Sequence, residues 1–283
     1  MVKIIGEYGF CFGVKNAIQI LKENKKKDGK IILLHPLIHN QTLNDKLMEE
    51  NNAVLYDKNT NILENDTIIF SAHGHLKEEE EKFKNYHYEN AICPLITKRY
   101  KFIKENYNND INYLFLGKKK HQETISFLSF FKFLKLVDVE NIMDDLEKLN
   151  LKKEDKTFLI PQTTVSYFKY NQVLSYLKEK TNLVSNLPIC PHYLKRATDA
   201  LQILKNEDIN KTVFVVCGDK MSSNANEIYN LIKSSCSNLM GYIALTASQL
   251  NLSDLKNKKI YLISSTSVSK EEVESLYDEL SKL

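Results

Sequence analysis

Two segments of this chain repeat one pattern around a cysteine. Ile92-Cys93-Pro94-Leu95-Ile96-Thr97-Lys98-Arg99 and Ile189-Cys190-Pro191-His192-Tyr193-Leu194-Lys195-Arg196 both fit I-C-P-x-x-x-K-R. Arg99 and Arg196 are the only arginines in the chain, and each follows a cysteine by six residues. A looser third copy is Phe10-Cys11-Phe12-Gly13-Val14-Lys15. Proline directly after cysteine is a favoured first helical residue, which predicts Cys93 and Cys190 at helix N-caps. A thiol there is stabilised as thiolate, the form that binds metal, and the arginine adds positive charge for an anionic cluster or substrate. Local C-x-x-C pairs, the usual zinc or ferredoxin signature, are absent. Three distant thiolates without a fourth would leave one iron of a four-iron cluster open, as a Lewis-acidic and redox-active position. The competing reading makes all five cysteines small buried hydrophobes, the common fate of free Cys. It suits Cys217 and Cys236, which lack the repeated context.

These residues need a scaffold, and the apolar patterning supplies one. Short β-branched runs at 3–6, 30–34, 67–71, 112–116, 157–161, 212–216 and 259–264 read as strands. Between them, 15–26, 76–85, 166–180 and 270–283 carry apolar residues at helical spacing. Strands separated by helices of this length imply βαβ units, mostly parallel sheets and an α/β fold. The cysteines cut the chain into rough thirds, which predicts three similar α/β domains at 1–93, 94–190 and 191–283. The N-terminal strand is able to join the third.

Ligands gather at the carboxyl ends of parallel strands, and here those ends are polar. Strand 67–71 runs into Ala72-His73-Gly74, strand 112–116 into Gly117-Lys118-Lys119-Lys120-His121-Gln122-Glu123, and strand 157–161 into Gln162-Thr163-Thr164. Strand 212–216 leads to Ser222-Ser223-Asn224, and strand 259–264 to Ser265-Thr266-Ser267. Turn and N-cap chemistry favours Ser, Thr and Asn anyway, and His39 and His73 flank apolar strands where structural histidines occur. His121, between three lysines and Glu123, fits a core role least. Glu123 also admits a plain reading, as a surface charge offsetting Lys118, Lys119 and Lys120.

Composition closes off other classes. A chain of 283 residues with 43% hydrophobic and 27% charged residues is foldable and globular, which excludes disordered and fibrous proteins. Thirty-nine basic against thirty-six acidic side chains leave +3, too balanced to argue for nucleic acid. The N-terminus lacks a signal-peptide core, and the most apolar stretch, 125–137, is broken by Lys132 and Lys135. A cytoplasmic protein with no membrane partner is expected, and an odd number of cysteines without an export signal argues against disulfides.

Seven collinear stretches then carry a family resemblance. They are 9–15 (GFCFGVK), 35–40 (HPLIHN), 70–74 (FSAHG), 91–98 (AICPLITK), 121–123 (HQE), 161–164 (PQTT) and 222–226 (SSNAN). Together they resemble the hydroxymethylbutenyl diphosphate reductases, the LytB/IspH family, over essentially the whole chain. The resemblance implies a trefoil of three α/β domains around a [4Fe-4S] cluster, and reductive dehydroxylation of an allylic diphosphate at the end of the methylerythritol phosphate route to isoprenoids. It further implies Cys11, Cys93 and Cys190 as cluster ligands, leaving one open iron, with Glu123 and Thr163 in the proton relay. His39, Asn40, His73, His121, Ser222, Ser223, Asn224 and Ser267 would surround the substrate, chiefly its diphosphate. A ferredoxin or flavodoxin is the electron donor it implies, and a monomer is the expectation.

The chain departs from the family pattern in places. Gln122 stands where relatives carry Pro, and Gly117-Lys118-Lys119-Lys120 replaces a Gly-His-x-Gly run. Pro191-His192-Tyr193-Leu194 follows the third cysteine in place of small and hydroxyl residues. In 264–269 both Ser267 and Ser269 compete for the last substrate contact, Ser269 opening a capping box with Glu272. The alternatives are a non-redox [4Fe-4S] lyase or hydratase, and a diphosphate-binding homologue without reductase activity.

Overall fold

The computed structural model describes residues 1–25, 28–38 and 40–283. The chain opens with β1 (Val2–Ile5), α1 (Phe12–Glu23), β2 (Ile31–Leu33), α2 (Gln41–Glu50), β3 (Ala53–Leu55), β4 (Thr67–Phe70), α3 (Lys77–Phe83) and β5 (Tyr88–Asn90). Next come α4 (Pro94–Glu105), β6 (Ile111–Gly117), α5 (Gln122–Phe130), β7 (Lys135–Asp138), α6 (Ile142–Lys148), β8 (Lys156–Pro161), α7 (Tyr167–Lys180) and β9 (Asn182–Asn186). The last third holds α8 (Pro191–Leu204), β10 (Thr212–Cys217), α9 (Ser223–Ser235), β11 (Met240–Ala244), α10 (Leu252–Leu255), β12 (Lys259–Ser264) and α11 (Lys270–Ser281).

Among the described residues the strands form three four-stranded parallel sheets, ordered β3-β2-β4-β5, β7-β6-β8-β9 and β11-β10-β12-β1. The order is the same three times. In the third sheet β1 takes the fourth place, pairing Val2 with Ile260 and Ile5 with Ile263. Each motif cysteine follows a fourth strand and precedes a helix: Cys11 lies between β1 and α1, Cys93 between β5 and α4, Cys190 between β9 and α8. The repeat seen in the sequence is therefore a repeat of topology.

These elements form two compact units. One comprises Met1–Lys15, Ile38–Thr42 and Cys190–Leu283 with the β1-containing sheet, and the other comprises Asn16–Leu37 and Leu43–Ile189 with the remaining two sheets. Central strands lie in cores covered on both faces. Leu114, Phe115 and Leu116 of β6 and Val213 to Val216 of β10 have no exposed surface. Such strands read as continuous apolar runs, which explains why the sequence reveals them. It does not reveal β3, β5, β7, β9 and β11. These are short and lie beside a single neighbour at a sheet edge, with polar stretches such as Tyr88-Glu89-Asn90 partly exposed. The expected 15–26 helix begins three residues earlier, at Phe12 directly after Cys11.

Candidate active site

In the second unit the site is built where β4, β6 and β8 end. Glu123 lies in the first turn of α5 and is 1% exposed. Its carboxylate accepts the Thr163 backbone N–H at Oε1 (2.7 Å) and the Thr163 hydroxyl at Oε2 (2.6 Å). Arg99 Nη1 stands 3.9 Å from Oε1, closer to an ion pair than to a hydrogen bond. Burial pushes the Glu123 carboxyl above its ordinary value, opposed by Arg99 and the Thr163 hydrogen bonds. The surface-charge reading of Glu123 is thereby corrected. Its cationic neighbour is buried Arg99, while the exposed Lys118 pairs with Glu140 at 3.7 Å.

Two histidine rings meet at the start of α5. His121 is the N-cap of α5, and its Nδ1 accepts the Glu123 backbone N–H at 3.2 Å. The neutral ring therefore carries its proton on Nε2, as a donor. The His73 ring meets that of His121 edge-on, with centroids 6.1 Å apart. Gly74 holds the His73 loop against α5 at φ +96°, where an added Cβ would come 2.6 Å from Ser126 Oγ. Gln122, in place of the family's proline, braces the same loop. Its Nε2 lies 3.1 Å from His35 Nε2 and 3.4 Å from the Gly74 carbonyl. Gln162 Oε1 accepts the Lys118 N–H at 2.9 Å, fastening the loop before His121 to the end of β8.

Cys93 and Cys190 do occupy helix N-caps followed by Pro, but neither thiol makes a capping hydrogen bond. The arginines six residues on are both buried. Arg99 donates to the carbonyls of Pro161, the last residue of β8, and Pro188, two before Cys190. In the first unit Arg196 donates to Gly9, two before Cys11 (2.6 Å), to both oxygens of Ser264, the last residue of β12 (3.2 and 3.1 Å), and to the Ser265 carbonyl. Burial lowers the Arg196 pKa, countered by negative charge on Cys11, Glu7 and Cys190. Cys11 and Cys190 thus share the surroundings of one guanidinium. The sequence pattern placed these arginines six residues from the cysteines. It held no sign of which carbonyls and acids they meet.

The rest of the first unit's site is a hydroxyl cluster. Ser222, N-cap of α9, shares a 3.3 Å hydrogen bond with Ser267, which shares another of 3.3 Å with Ser265. All three are buried. Ser269 stands apart, exchanging hydrogen bonds with Glu272 in the capping box of α11. Ser223 and Asn224 open α9, and buried Asn224 Oδ1 and Thr266 Oγ1 have no hydrogen-bond partner among the described residues. Two unpartnered polar atoms beside a helix N-terminus suit a polar, anionic ligand. Buried Asn40 donates to Glu272 at 2.9 Å. His39 lies outside the described residues.

Cys11, Cys93 and Cys190 have the donor chemistry of iron–sulfur ligands. Among the described residues no three His, Cys, Asp or Glu side chains are grouped to hold a metal ion. The first unit offers Cys11 and Cys190 beside Arg196, the second Cys93 at a helix N-terminus. Cys217 is different in kind. It is wholly buried in β10, and burial pushes its thiol up to about 12.

Parallel α/β sheets with a buried acid–threonine pair at the strand ends of the second unit have the character of an enzyme. The chain belongs to the LytB protein family, whose model matches residues 2–281. It is 28% identical over 263 residues to the 4-hydroxy-3-methylbut-2-enyl diphosphate reductase of a Nitratiruptor species, covering 92% of this chain and 90% of that one. Identity to the enzyme of the same name from Helicobacter pylori is 29%, with the same coverage. Among solved structures, the E-1-hydroxy-2-methyl-but-2-enyl-4-diphosphate reductase from Plasmodium falciparum superposes with a TM-score of 0.85 at 26% identity, over 98% of this chain and 87% of its own.

Proposed function

We propose that this protein reduces 4-hydroxy-3-methylbut-2-enyl diphosphate to isopentenyl and dimethylallyl diphosphates, the last step of the methylerythritol phosphate route. The observation that carries this reading is the buried Glu123–Thr163 pair set against Arg99. The substrate's allylic C–O bond breaks, its oxygen leaves as water with one proton, the allyl fragment takes up a second proton, and a reduced carrier provides two electrons. Cys11, Cys93 and Cys190 would hold a [4Fe-4S] cluster, which when bound supplies electron storage and a Lewis-acidic iron.

The chain's own residues do the rest. Glu123, whose burial favours the protonated form, is the donor for the departing oxygen, and the Thr163 hydroxyl hydrogen-bonds the carboxylate left behind. His73 and His121 present donors to the anionic end of the substrate. Ser222, Ser223, Asn224 and Ser267 add hydroxyl, amide and helix N-terminal donors, a set able to bind diphosphate without a divalent cation. His39 and Asn40 complete that group, and three α/β domains divided near Cys93 and Cys190 provide the frame. No helix among the described residues is long and apolar enough to cross a membrane.

Anaerobic turnover of the diphosphate with dithionite and a viologen tests the reading. Formation of both products with oxidation of the viologen is expected. Conversion of substrate without consumption of reductant would replace it with a lyase or hydratase. Binding without conversion by brown, EPR-active protein would leave a diphosphate-binding homologue.

A further inference from the structure

Arg99 has a place in this site that neither its motif nor the family pattern assigns. It reaches three structures of the second unit at once: the end of β8 through Pro161, the approach to Cys190 through Pro188, and the Glu123 carboxylate. Thr163, which grips both oxygens of Glu123, lies only two residues beyond Pro161. We infer that Arg99 is a positioning residue for Glu123, holding the backbone that carries Thr163 while its guanidinium balances the carboxylate formed when the proton leaves. This rests on the reading of Glu123 as proton donor.

The spacing argues for charge balance over a locked salt bridge. At 3.9 Å the guanidinium stabilises the carboxylate without donating a hydrogen bond to it, so Glu123 remains free to take its proton back. Two other groups near Glu123 among the described residues do not supply that charge. Tyr100, also on α4, is held neutral by burial, and His121 turns its accepting Nδ1 to the Glu123 backbone. Thr163 is uncharged. With no cation in place of Arg99, a carboxylate 1% exposed would keep its proton and fail as a donor.

Two substitutions separate charge from hydrogen bonding. Arg99→Gln keeps donors for the carbonyls but loses the charge, and Arg99→Lys keeps the charge but loses the planar fork. In reconstituted enzyme, the carboxylic-acid C=O infrared band assigned by its absence in Glu123→Gln reports the proton directly. In Arg99→Gln the band should persist about 1–3 pH units higher than in wild type, whereas Arg99→Lys should titrate close to wild type. Identical titration of the two variants would overturn the inference.

Turnover provides the second readout. Arg99→Gln should cost about tenfold in the wild-type background, within the coupling range of contacting residues, and less than about twofold in Glu123→Gln. Equal losses in both backgrounds would make Arg99 a structural residue only. Should Glu123→Gln turn over normally, the proton-donor reading fails, while the infrared comparison still decides whether Arg99 governs the carboxyl.

Discussion

Helices α4 and α8 begin with the same cysteine–proline step and bury the same arginine, yet the two arginines face different acids. Their backbone tethers match: each binds the last carbonyl of a third strand and the carbonyl two residues before the next motif cysteine. Arg99 then meets the carboxylate of Glu123, whereas the negative groups around Arg196 are Cys11, Glu7 and Cys190. One anchoring device thus stands beside a buried carboxylate in the second unit and beside two cysteines and Glu7 in the first. Where α1 would carry a third arginine it has Ala17, which is wholly buried. A repeated motif sets the anchoring, and the neighbours brought in by other elements set the chemistry.

The largest effect expected is on the thiols. Cys11→Ser, Cys93→Ser and Cys190→Ser should each abolish cluster assembly, read as iron content and visible absorption after anaerobic reconstitution. Cys217→Ser, on a thiol buried in β10, should load iron normally. A fully loaded Cys190→Ser protein would remove the thiolate half of the comparison.

Glu123→Gln comes next. It preserves shape and hydrogen bonding but cannot deliver a proton, so turnover should fall about 10²–10⁴-fold with substrate binding retained. Retention of more than about a third of the rate would shift the proton path to Thr163, which Thr163→Val would then reveal. The same substitution has a stability signature. Because the folded protein raises the Glu123 pKa, this group's stabilising contribution is fully present below its unfolded value and is lost as pH rises through the folded one. Glu123→Gln should therefore gain on wild type in denaturant midpoint as pH increases, and lines that stay parallel across that range would contradict a raised pKa.

Arg196→Met sharpens the contrast with Arg99. Leaving the carbonyls of Gly9, Ser264 and Ser265 without their buried donor should cost about 2–4 kcal/mol in anaerobic urea unfolding. The Glu123 carboxyl band should not move, since the carbonyls and charged groups around Arg196 do not include Glu123. A displaced band would mean that the arginines do not act separately.

The smallest effect separates two serines. Ser269→Ala removes an N-cap and should lower stability by about 1 kcal/mol with KM unchanged. Ser267→Ala should instead raise KM through the hydroxyl cluster. The reverse pattern would exchange their roles.

Much of this was legible in the residues alone. Central strands show as apolar runs, Cys-Pro steps mark helix starts, and polar strand ends mark the face where ligands gather, because these signals depend on neighbours a few positions away. Other features are pairings between distant segments. The entry of β1 into a sheet with β12, the meeting of Arg99 with Glu123, and the placing of Ser267 with Ser222 while Ser269 caps a helix all depend on strand order and register. Propensity and periodicity describe what a segment can become. Only the closed packing of the sheets, where each buried charge and carbonyl must find a partner, selects which residues face one another.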